Sequence, residues 1–64
     1  MTIDEFRALK VGDQISNPMS DSLGTISEIV RNRSGVHVYV QWSGSPKTIH
    51  FSEHMTAWMH WSKE

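Results

Sequence analysis

The residues of this chain with the most chemistry to offer are its four histidines, His37, His50, His54 and His60. A neutral imidazole ligates metals and changes charge near neutral pH. His50 and His54 stand four apart, a spacing that on a helix would give two ligands on one face. Here they fall on a strand and the turn after it, which sends them to different faces. With no cysteine and no HExxH-type context, no metal site is expected, and no cofactor. His37 and His50, sharing a face with Tyr39, are the better pair, and cross-strand packing is the role expected of them. Serines are plentiful, but none stands in a GxSxG elbow, and Ser43-Gly44-Ser45 reads as turn chemistry. No paired carboxylates mark a cleft, and a chain this short encloses no deep ligand pocket unless subunits assemble around one. An enzyme is not expected.

What remains is binding chemistry. His37, Tyr39, Gln41, Thr48 and His50 are predicted on one exposed sheet face, flanked by Arg31 and Arg33 in a turn and by Lys47. Rings beside cations suit stacking on unpaired bases with phosphate contacts. The formal net charge is −1, from six basic and seven acidic residues, and builds no strong positive field. A protein partner is therefore expected ahead of a nucleic acid. Trp58 and Trp61 are candidate interface residues. On a strand, Trp58 and His60 would share one face, and Met59 and Trp61 the other, leaving one pair less buried. Completing the core is the plainer role for them, and a cation–π cage for a methylated lysine the more specialised one.

The elements that must position these groups follow from pattern. Thr2-Ile3-Asp4-Glu5 fits a capping box, and Ile3, Phe6 and Leu9 keep helical spacing, so a short helix is predicted over 3–9. Val11-Gly12-Asp13 is a turn, 13–17 a first strand with Ile15 inward, and Pro18 its stop. Residues 19–23 form a loop and 24–30 a second strand. Ile26 and Ile29 break its alternation, which predicts a β-bulge at Ser27 or Glu28. After a turn at 31–35, suited to positive φ at Asn32 or Gly35, Val36, Val38, Val40 and Trp42 face inward on a third strand. A hairpin through 43–46 places Tyr39 opposite His50 and Gln41 opposite Thr48, with Ile49 and Phe51 inward. A helical turn at 52–57 and a last strand at 58–61 complete the order.

Sixty-four residues make one domain near the lower limit for a core without staples. Residues 1–10 are expected as an N-terminal arm, 11–61 as the barrel and 62–64 as a tail. Three tryptophans, two phenylalanines and Tyr39 carry the core, and weak self-association would add to it. No apolar run approaches a membrane span, and the acidic MTIDEF start is unlike a secretion signal. With the lack of cysteine, this makes a cytoplasmic location the expectation.

Gly12-Asp13 resembles the GD before the first strand of SH3-like small barrels, and Gly24-Thr25-Ile26 the glycine that opens the second strand of KOW-type motifs. The resemblance covers most of the chain, from Lys10 to Trp61. It implies an all-β, SH3-like five-stranded barrel of the KOW or Tudor-like branch, with a short N-terminal helix and one helical turn before the last strand. Such barrels are binding modules, so the expected function is non-catalytic: an accessory or regulatory protein, of the kind that bacteria, phages and mobile elements encode. The chain is also similar in length and fold to the type II dihydrofolate reductases, whose tetramers read substrate and nicotinamide with a Val-Gln-Ile-Tyr stretch. The equivalent here, Thr48-Ile49-His50-Phe51, puts an isoleucine where that family has its glutamine.

Overall fold

The computed structural model describes all residues, Met1–Glu64. Its first element is set by the capping box: Thr2 Oγ1 accepts the Glu5 amide at 3.2 Å, and Glu5 Oε1 accepts the Thr2 amide at 2.9 Å. Helix α1 (Ile3–Arg7) ends two residues before the spacing predicts, and Leu9 lies beyond it with its side chain buried. The strands are β1 (Gln14–Asn17), β2 (Ser22–Asn32), β3 (Gly35–Trp42), β4 (Thr48–Ser52) and β5 (Ser62–Lys63), with a 3₁₀ turn over Ala57–His60 before the last. They form one antiparallel sheet in the order β4-β3-β2-β1-β5. The fold is all-β, as the pattern predicts. No helix is long and apolar enough to cross a membrane.

The GD turn before β1 is bonded to Ile26 of β2. Gly12 adopts φ +96°, which an L side chain rarely tolerates, and its amide donates to Ile26 O at 2.8 Å. Asp13 Oδ2 accepts the Lys10 amide at 2.9 Å, and this bond first, then Lys63, holds its carboxyl below the usual range. Strand β2 starts earlier than predicted, taking in Ser22 and Leu23 opposite Asn17 and Ser16. The bulge falls where expected. Ile26 pairs with Val40 and Glu28 with Tyr39, so Ser27 is the extra residue, and Ile29 returns to the core side beside Val38. Gly35, not Asn32, takes the positive φ, at +110°.

The core lies on one face of the sheet: Ile15, Ile26, Val36, Val38, Val40 and Trp42 from the strands, covered by Phe6, Leu9, Trp58 and Trp61. The chain end corrects the sequence reading. Residues 58–61 are not a strand but belong to the 3₁₀ turn and its cap, and residues 62–64 are not a tail, since Ser62–Lys63 pairs with β1. At three residues per turn, Trp58 and Trp61 point the same way. They are 4% and 2% exposed, so both are core and neither offers an interface; Met59 and His60 point outward. Phe6 stacks on Trp58 with centroids 4.7 Å apart, and Trp61 meets Phe51 and Trp42 edge-on. Ile49 is the second correction. It sits opposite Val40 on the core side but is 46% exposed, because β4 is an edge strand and nothing covers it there.

Candidate histidine and tyrosine face on strands β3 and β4

The register assembles the predicted face. Tyr39 lies opposite His50 and Gln41 opposite Thr48, and directly opposed residues of an antiparallel pair project to the same side. His37, Tyr39 and Gln41 are half-buried on the outer face of β3, while Thr48 and His50 are exposed on β4. Tyr39 and His50 rings lie 5.2 Å apart at 42°. Gln41 is already engaged, its amide nitrogen donating to Ser45 O across the β3–β4 turn. That side chain fixes the turn and offers only its carbonyl outward.

Other predicted residues are dispersed. Arg31 pairs with Val36 on the core side of the sheet, and its guanidinium reaches α1, donating to Arg7 O at 3.3 Å and Leu9 O at 3.4 Å. It serves the helix end rather than the outer face. Arg33 lies in the β2–β3 turn, and Lys47 in the β3–β4 turn at the other end of β3, so the cations do not form one patch. Glu28, not singled out by sequence, stands opposite Tyr39 on β2 and adds a carboxylate to the row.

The sequence also missed the network behind His37. Asn32 Oδ1 accepts the Ser34 amide at 2.9 Å and lies 2.6 Å from Ser34 Oγ. That amide donor identifies the Asn32 atom as the oxygen, so the one hydroxyl proton of Ser34 goes to it. Ser34 Oγ then has only lone pairs to turn toward His37 Nε2, 2.7 Å away, and Nε2 must carry a proton. In a neutral ring Nδ1 is then bare, and it accepts from His50 Nε2 at 2.8 Å. The two rings are 5.1 Å apart and only 17° from coplanar. That separation is close to the N···N distance plus two ring radii, so they meet edge to edge rather than face to face. His54 Nε2 donates to Ser34 O at 2.5 Å, holding the same turn from β4's far end.

A serine, a histidine and a second polar group in line have the outline of a nucleophile, its base and an orienting residue. The proton count opposes it: Ser34 donates to Asn32 and receives from His37, so the imidazole does not draw the hydroxyl proton away. The signal for this network was the turn Asn32-Arg33-Ser34-Gly35, but four residues of turn chemistry do not disclose which histidine they meet. One surface depression, of about 370 Å³, lies elsewhere, at the β1–β2 turn between Asn17, Asp21, Leu23 and Glu64. Compared with protein-family models, curated proteins and solved structures, the chain finds no match.

Proposed function

We propose that this chain is a non-catalytic binding module, an SH3-like barrel that docks on a protein partner through the outer face of β3 and β4 with Tyr39 as its anchor. The observation that carries the reading is the His37, His50 and Tyr39 row on paired strands, on the face away from the core: two imidazoles held by hydrogen bonds, and the Tyr39 ring packed against His50. Rings ordered in advance lose little entropy on binding, which is the property of an interface anchor. The strand order β4-β3-β2-β1-β5, with a 3₁₀ turn directly before β5, is consistent with an SH3-like barrel. Glu28 beside Tyr39, and cations divided between two turns, favour a protein over a nucleic-acid strand.

The test compares the wild type with Tyr39→Ala in affinity capture from the source cell, with Met19→Ala at the β1–β2 turn as control. A stoichiometric protein complex that survives Met19→Ala and is lost with Tyr39→Ala supports the reading. Complexes indifferent to Tyr39 overturn it. Binding to single-stranded oligonucleotides that weakens steeply with salt and needs Arg33 and Lys47 assigns the face to nucleic acid instead.

A further inference from the structure

We propose that His37 Nδ1 and His50 Nε2 form a two-histidine site for a divalent transition metal, with Cu²⁺ preferred over Ni²⁺ and Zn²⁺. Three observations carry it. The two nitrogens converge across β3 and β4 at 2.8 Å, with only a proton between them. That distance matches the span between two cis ligands at right angles with bonds of about 2.0 Å, the arrangement of square-planar nitrogen sites. The third is the support behind His37. Metal-bound histidines commonly donate their other ring N–H to an oxygen that fixes tautomer and ring orientation. His37 does so before any metal arrives, through Nε2 to Ser34 Oγ, itself held by Asn32 Oδ1.

For a right-angled pair each lone pair turns about 45° off the N···N line, a swing toward solvent that the exposed His50 ring and the half-buried His37 ring both have room to begin. The His50 proton passes from Nε2 to Nδ1 through solvent, so the neutral pair releases no net proton. No third histidine or carboxylate completes a closed site, which leaves the remaining positions to water. An open pair of imidazoles selects by intrinsic affinity rather than by cavity shape, and that order places Cu²⁺ first. The i, i+4 spacing of His50 and His54 points elsewhere, because this pair comes from strand register. The site shares two residues with the docking face, but metal binding is measured on the isolated chain, so either proposal can fail without the other.

The experiment is a Cu²⁺ titration of the intact chain near neutral pH by calorimetry, with electron paramagnetic resonance on the same samples. One Cu²⁺ per chain is expected, with hyperfine structure from two imidazole nitrogens. His50→Ala and His37→Gln should each weaken binding by more than about tenfold, and Ser34→Ala by about tenfold with an unchanged melting temperature. His54→Ala and His60→Ala should leave it unaltered. Because His50 is exposed on an edge strand, its replacement leaves the fold in place to be tested. Affinity unchanged by His50→Ala, loss caused by His54→Ala or His60→Ala, or no binding stronger than a single imidazole gives would each overturn the site.

Discussion

Gly24 shows how one residue type can be read correctly for an incomplete reason. The sequence marks it as the glycine of a strand start, yet its φ is not positive, and its task is to admit its neighbours. A Cβ built there would lie 2.6 Å from Val40 Cγ1 and 2.8 Å from Trp42 Cε3, both side chains of the packed core. Gly24→Ala is therefore expected to destabilise the fold by about 1–3 kcal/mol, the usual cost of overpacking. Thermal melts followed by circular dichroism check this, and an unchanged midpoint would remove the crowding argument. The two core indoles differ as well. Trp58 Nε1 donates to Ser52 O at 3.0 Å, whereas Trp61 Nε1 is buried without a partner.

At the scale of elements, Ser27 decides what β2 presents. It occupies the bulge with its hydroxyl donating to Tyr39 O at 3.1 Å, and it restores Ile29 to the core side. Side chains alternate along a strand, so the extra residue is what lets Ile26 and Ile29, three apart, share one face. Deleting Ser27 leaves them two apart, with Glu28 still opposite Tyr39 and Ile29 still opposite Val38. The dispersed amide spectrum of the folded chain is therefore expected to survive both this deletion and Ser27→Ala, and its loss on deletion would show that the bulge itself is required by the fold. The bulge was legible because two isoleucines three apart cannot both face inward on a regular strand. The His37 and His50 contact was legible only as a shared face, since its direction depends on Asn32 and Ser34.

For the molecule as a whole, the radius of gyration is 10.7 Å, as expected for a folded chain of this length at about 10.7 Å. All three tryptophans are buried within one chain, so resistance to quenching is expected without any self-association. Glu53 ties distant parts together: Oε2 pairs with Arg7 at 2.6 Å and Oε1 accepts the Val36 amide at 2.7 Å. The Arg7 contact first, then the Val36 amide, holds its carboxyl below the usual range, as the Thr2 cap does for Glu5 and the Lys10 amide for Asp13. Each folded-state value lies below the unfolded one, so protons favour the unfolded chain. The stabilisation stands in full above the ordinary carboxylate range of about 4 and is lost as pH falls through the lowered values. Denaturant unfolding near neutral pH and in acid should show this fall. Glu53→Gln should be less stable near neutral pH and show a smaller fall, and an equal fall would exclude Glu53 from the pH dependence.

The sequence by itself determined the all-β class, the capping box, the bulge, the inward row of β3 and the pairing of Tyr39 with His50. Each rests on local periodicity or on a turn that sets register, and neither needs distant residues. Tertiary structure alone decided that Trp58 and Trp61 are core, that the last three residues include a strand, that Ile49 is uncovered and that Arg31 serves the helix. Those outcomes depend on which surfaces meet. A 3₁₀ turn replaced the predicted strand, and at three residues per turn it points two tryptophans three apart into one core.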